Sequence, residues 1–184
     1  METKTPSLPK QVRIQLAAQA SGPAPRRAGV ALHGERAGWS DLLEQCVRGV
    51  FELMLNATLE RGEGAPAEEG FELCAMVGLA GNLCGVLSLR SSNHCGARIA
   101  SCMLGTEVSE YETSVLDAFG EVCNMVAGSF KARIPETADG CMLSVPTVIN
   151  GKDYTVRALA AGERIQAHLK FENNPLFVTL GLQS

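Results

Sequence analysis

The sequence predicts an α+β domain, an antiparallel β-sheet with long helices packed on one face. Three observations point to it. Apolar residues recur at helical spacing along Leu43, Cys46, Val47, Val50, Phe51, Met54 and Leu55, and again along Val115, Phe119, Val122, Val126 and Phe130. The stretch from Leu73 to Leu89 carries no charge and is interrupted by Gly78, Gly81, Asn82 and Gly85, as expected for two buried strands that turn on each other. Near the C-terminus Ile165, Ala167, Leu169 and Phe171 alternate with polar residues, and Leu176, Val178, Leu180 and Leu182 alternate again.

Taken in order, residues 1–36 hold Pro6, Pro9, Gly22, Pro23 and Pro25 with little sustained periodicity, and read as a flexible leader before a domain at 37–184. Gln11 to Ala20 reads as a short helix or an extra strand. The first firm helix begins near Trp39, with Ser40 as N-cap and Asp41 in the first turn, where a carboxylate favours the positive helix end. Arg61-Gly62-Glu63-Gly64 is expected to end it. A hairpin over about Phe71 to Arg90 follows, then a helix from Asn93 to Leu104 that Gly105 stops. The third helix is delimited by an S-x-x-E capping box at Ser109 and Glu112 and by Pro135, which pushes Ile134 out of helical geometry. That leaves about 23 helical residues, roughly 34 Å. Cys141 to Ile149 is β-prone, Asn150-Gly151 is a type I′ hairpin signal, Tyr154 to Ala158 returns, and Asn173-Asn174-Pro175 turns the last two strands.

Composition excludes several function classes. The 184 residues include 46% hydrophobic and 20% charged side chains, with a net charge of −4. A nucleic-acid or anionic-membrane surface needs a concentrated basic patch, and only Arg26 and Arg27 sit side by side. No apolar segment follows Lys4 and Lys10 as in a secretory signal, and the uncharged stretch at Leu73–Leu89 is too short and too glycine-broken for a membrane span. The seven cysteines, at 46, 74, 84, 95, 102, 123 and 141, show no CxxC pair and sit mostly among apolar residues. They read as reduced core residues of a cytoplasmic protein. His94-Cys95 is at most half a metal site, and no metal is expected.

The third helix holds the pattern with chemical content. On a wheel of about 100° per residue, Val115, Phe119, Val122, Val126 and Phe130 form a core stripe, with Leu116 and Cys123 beside it. Asp117, Glu121, Asn124 and Gly128, spaced i, i+4, i+7 and i+11, fall almost opposite. A polar outer face is what any amphipathic helix needs, so this alone says little. Yet Asn is a poor helix former, and Gly120 and Gly128 each cost up to about 1 kcal/mol relative to Ala. Stability given up on an exposed ridge points to function, with bare backbone open to the approach of another protein.

The run Asp117-Ala118-Phe119-Gly120-Glu121-Val122-Cys123-Asn124-Met125-Val126-Ala127-Gly128 resembles the Asp/Ser-x3-Glu-x2-Asn pattern of the CheX/CheC family, and Pro146 in Ser144-Val145-Pro146-Thr147-Val148 matches the proline that follows it. The resemblance spans about 38–184. It implies hydrolysis of the aspartyl phosphate on a CheY-like response-regulator receiver domain. Asn124 would orient the attacking water, and Glu121 would dock to the receiver's lysine. Asp117, Gly120, Gly128 and Pro146 would serve binding. No cofactor is expected on this chain; Mg²⁺ would belong to the receiver. The first helix reads Phe51-Glu52-Leu53-Met54-Leu55-Asn56, so Glu52 is followed at the third place by Leu55 rather than Asn, which implies one active ridge per chain, as in CheX. A homodimer joined through strands is also implied. The alternative is a receiver-binding or dimerisation module of the same fold without hydrolysis.

Overall fold

A computed structural model describes residues 10–12, 38–62, 71–134, 140–152, 154–156 and 162–183. Helix α1 runs Trp39–Leu55. Its N-cap is Gly38, at φ 102 and without a side-chain hydrogen bond, so Ser40 lies inside the first turn and does not cap it. The helix ends well before the Arg61–Gly64 stretch. Asn56 takes the left-handed conformation at φ 49, and its N–H bonds to the Phe51 carbonyl. The apolar stripe has ended at Leu55, and the chain after it crosses to the sheet.

Among the described residues the main sheet has seven strands, and β1 (Lys10–Val12) and β7 (Tyr154–Val156) pair separately. The seven are β2 (Glu60–Arg61), β3 (Leu73–Gly81), β4 (Gly85–Ser91), β5 (Cys141–Leu143), β6 (Thr147–Asn150), β8 (Arg164–Phe171) and β9 (Asn174–Leu182). In space the order is β2-β8-β9-β4-β3-β5, with β6 also on the outer edge of β3. Every pairing in this sheet is antiparallel. The uncharged stretch Leu73–Leu89 thus forms β3 and most of β4, and β4 lies between β9 and β3 in the middle of the sheet. Helices α2 (Asn93–Leu104) and α3 (Thr113–Ala132) complete the fold. Gly105 caps α2 in the left-handed conformation, as its position predicts.

Strand alternation builds the core. Leu73, Ala75, Val77 and Leu79 of β3, Leu87 and Leu89 of β4, and the alternating sets of β8 and β9 are buried together with α1 and α3. Two edge-to-face ring pairs hold the layers: Trp39 on Phe130 at 5.6 Å and Phe51 on Phe171 at 5.3 Å. On the opposite face Phe177 meets Phe71 and His168, with ring centroids 4.7 and 4.9 Å apart.

Two turns differ from their sequence signals. Asn150-Gly151 does not make a hairpin, because neither residue has the positive φ that a type I′ turn demands. Instead Gly151 donates its N–H to the Glu72 carbonyl and prolongs the pairing along β3. Strand β7 pairs in parallel with β1, inside the stretch expected as leader; the rest of 1–36 lies outside the described residues. Where φ does turn positive is at Glu172 (47°) and Asn173 (66°), one residue before the expected Asn173–Pro175 turn. The β-prone run Cys141–Ile149 is also not one strand. Leu79 pairs with Leu143 and Met76 with Thr147, so three steps on β3 face four on its partner. The extra residue is a β-bulge at Ser144–Pro146.

Phe51 joins α1 to β8 with its side chain wholly buried. Phe51→Ala is expected to lower the unfolding free energy by about 3–5 kcal/mol in a guanidinium titration. A loss below about 1 kcal/mol would be inconsistent with this packing.

Candidate functional site

Helix α3 is 20 residues long. It begins later than the capping box suggests: Glu112 is the N-cap, with extended backbone and no side-chain capping bond. Half of the box survives. The Glu112 carboxylate accepts from the Ser109 N–H at 2.7 Å, and Glu112 N–H donates to the Ser109 carbonyl at 3.1 Å, which makes Ser109–Glu112 a turn leading into the helix.

Val115, Phe119, Val122, Val126 and Phe130 are all fully buried, as the wheel requires. Asp117 and Glu121 are exposed, while Asn124 and Gly128 are half-buried. Among the described residues no side-chain hydrogen bond or ion pair engages Asp117, Glu121 or Asn124. An acid and an amide one turn apart therefore stand with free donors and acceptors on a convex surface.

Gly120 departs from the expectation. It is buried, and a Cβ placed on it would lie 3.1 Å from Val148 Cγ2 and 3.4 Å from Pro146 Cβ. The glycine admits this chain's own sheet edge, not a partner's backbone. A Cβ on Gly128 would meet Leu143 Cδ1 at 4.0 Å, an ordinary contact, so that position keeps part of its open backbone. Together these contacts show that the β5–β6 segment runs along the flank of α3 that carries Asn124. Pro146 is half-buried in that flank and supports the helix. Leu143 and Val148 take part as well, and the sequence offered no signal for them, since each reads as an ordinary strand residue.

Cys123, inside the motif, is fully buried, with Sγ 4.0 Å from the Leu87 carbonyl oxygen. Burial pushes its thiol far above the ordinary range, and pushes those of Cys74 and Cys95 up to about 11. These are inert core thiols rather than nucleophiles. All seven cysteines are free, and Cys84 is exposed. Among the described residues no group of His, Cys, Asp and Glu side chains could hold a metal ion, and no helix is long and apolar enough to cross a membrane.

On α1 the corresponding turn offers no second site: Glu52 is exposed, but Leu55, where an Asn would be needed, is buried in the core. A cleft of about 520 Å³ lies away from the ridge, between α2 and the loop before α3, lined in part by His94, Arg98, Glu107 and Glu110. Two of its side chains are engaged, His94 Nδ1 with Glu110 at 3.0 Å and Arg98 with Glu172 at 2.7 Å. The Arg98 guanidinium holds the Glu172 carboxyl below its usual range.

N-Ethylmaleimide applied to the native protein at pH 7 is expected to label Cys84 and to leave Cys123 unlabelled, as read by peptide mass mapping. Rapid labelling of Cys123 without denaturant would contradict the burial described.

With the geometry in place, comparisons with known proteins sharpen the reading. The profile of the family described as "Chemotaxis phosphatase CheX" matches residues 73–170, a span that contains the whole ridge and Pro146. The CheY-P phosphatase CheX of Thermotoga maritima is 26% identical over 87 residues, covering 47% of this chain and 56% of that protein. The chain thus matches little more than half the length of that relative. The chemotaxis protein CheX of Vibrio vulnificus superposes with a TM-score of 0.69 at 22% identity, covering 80% of this chain and 98% of that one. CheX of Borrelia burgdorferi, solved as a complex with CheY, BeF3 and Mg²⁺, superposes at 0.67 with 17% identity over 79% and 98% of the two chains. At such identities the structural likeness speaks for the fold.

Proposed function

The chain belongs to the CheX family of chemotaxis phosphatases, and on that premise we propose that it hydrolyses the aspartyl phosphate of a CheY-like receiver domain, with Asn124 orienting the water and Glu121 fixing the docked register. One observation carries this reading: Glu121 and Asn124 stand one turn apart on the outer side of α3, unengaged among the described residues, with the sheet edge packed against the same helix at Gly120.

The residue types suit the reaction. An aspartyl phosphate is an acyl phosphate, already activated, and the receiver's own Mg²⁺ neutralises charge on the phosphoryl oxygens. What a second protein can add is a water held in line with the bond that breaks. The amide oxygen of Asn124 accepts a hydrogen bond from that water, and its NH₂ donates to a phosphoryl oxygen. The amide is too weak a base to take the proton, so its role is orientation. As the water oxygen bonds to phosphorus, the bond to the receiver carboxylate breaks, the aspartate leaves as a carboxylate, and the water's proton stays with the released phosphate. Glu121 pairs with a receiver lysine. Docking removes water from that pair, so it counts for more than an exposed ion pair would. Asp117, a turn earlier on the same ridge, adds negative charge towards the same cationic partner.

A ridge suits this substrate because a receiver's phosphoryl group sits in the receiver's own shallow cleft, which a convex helix can enter. The relatives support the direction of the reading: one is named a CheY-P phosphatase and another was solved with CheY bound.

The test charges a CheY-like receiver with acetyl phosphate in Mg²⁺ and follows phosphate release. Asn124→Ala is expected to slow turnover by about 10²-fold or more while binding is kept. Glu121→Ala is expected chiefly to raise KM. Decay at the same rate with and without the wild-type protein would sink the proposal. Tight binding without acceleration would favour a docking module instead.

A further inference from the structure

The bulge at Ser144–Pro146 carries an inference about partner recognition, one that rests on the phosphatase reading above. Ser144 is tied to β3 twice: its N–H donates to the Gly78 carbonyl at 2.9 Å, and its Oγ accepts from the Gly78 N–H at 2.9 Å. The same hydroxyl donates to the Val145 carbonyl at 2.9 Å. With Gly78 opposite Ser144 and Met76 opposite Thr147, Val145 and Pro146 together oppose Val77. Two residues against one is the signature of a bulge, and a bulge re-aims side chains that regular alternation would send to opposite faces. Val77 is buried on the helix side of the sheet, and Pro146 packs on Gly120 of α3. The Cα of Val145 is about 3.8 Å from that of Pro146.

Val145 is nevertheless 86% exposed. A single exposed apolar side chain needs no explanation by itself. Here its two neighbours are pinned, one to β3 and one to α3, so its backbone is held rigid beside the turn that carries Glu121 and Asn124. Being β-branched, it also loses little side-chain freedom when covered. A preorganised apolar group next to an acidic ridge suits a partner surface with a cationic group and an apolar patch close together. Met142, 73% exposed two residues before the bulge, does not share this position. It alternates with Leu143, whose side chain faces Gly128, and so points to the other face of the sheet.

We propose that Val145 is an apolar docking residue for the same phosphorylated receiver domain that meets Glu121 and Asn124, with the bulge serving to present it. It acts on association and leaves the chemical step alone.

The test compares wild type, Val145→Ala, Val145→Asp and the control Leu53→Ala, an 81% exposed apolar residue on α1. Each is assayed against graded concentrations of CheY-like receiver domains kept phosphorylated by acetyl phosphate and Mg²⁺. Val145→Ala is expected to raise KM about fivefold and Val145→Asp more than tenfold, with kcat within about twofold of wild type. Thermal midpoints should stay within about 2 °C, since the side chain is not in the core. Leu53→Ala should behave as wild type. An unchanged KM in Val145→Asp, a fall confined to kcat, or an equal loss in Leu53→Ala overturns the role of Val145 and leaves the phosphatase reading standing. A wild type that accelerates no decay overturns the phosphatase reading. Calorimetric binding to beryllofluoride-loaded receiver then decides the docking role: weaker binding by Val145→Asp than by wild type upholds it, and equal or absent binding overturns it.

Discussion

The close approach of the sheet edge to α3 at Gly120 is the contact on which the site depends. Val148 and Pro146 reach the helix so closely that a Cβ at Gly120 would lie 3.1 Å from Val148 Cγ2, tighter than ordinary contact. With that contact made, α3 is flanked by α1 and α2 on one side and by β5–β6 on the other, and only a narrow outer strip stays in solvent. Asn124 falls at the margin of that strip, half-buried, and Glu121 is exposed. In the proposed reaction that difference suits a positioning amide and a reaching carboxylate.

Much of this was readable in the residues and some was not, for physical reasons. The core stripe of α3 and the alternation of β8 and β9 depend on periodicity, which tertiary packing obeyed. The end of α2 at Gly105 is local chemistry and also appeared as expected. At the sheet, local signals were outweighed by long-range partners. Asn150-Gly151 has the composition of a tight turn, but β3 offered Gly151 a hydrogen bond at Glu72 and the turn did not form. Arg61 reads as the end of α1, yet Glu60 and Arg61 pair with Lys170 and Leu169 of β8. At Ser109–Glu112 the local bonds close a turn ahead of α3 rather than the first turn of the helix itself.

Gly120 is instructive because the right residue was singled out for the wrong reason. A glycine in mid-helix does mark a close approach. The helix alone does not say whether the neighbour belongs to the same chain or to another, and here it is the chain's own Pro146 and Val148 side chains. Asn124 and Glu121 stand out by their spacing on the helix, by the poor helix propensity of Asn and by the resemblance of the run Asp117–Gly128 to the family pattern. Leu143, Val145 and Val148 do not, since a bulge is a matter of register and register is visible only once both strands are placed.

A ridge differs from a pocket in what it can refuse. Glu121 is exposed and Asn124 only half-buried, so a small acyl phosphate diffusing past would find little to hold it in line with a water. In the proposed reaction the enclosure is supplied by the substrate protein, and an active centre exists only while two surfaces are in contact.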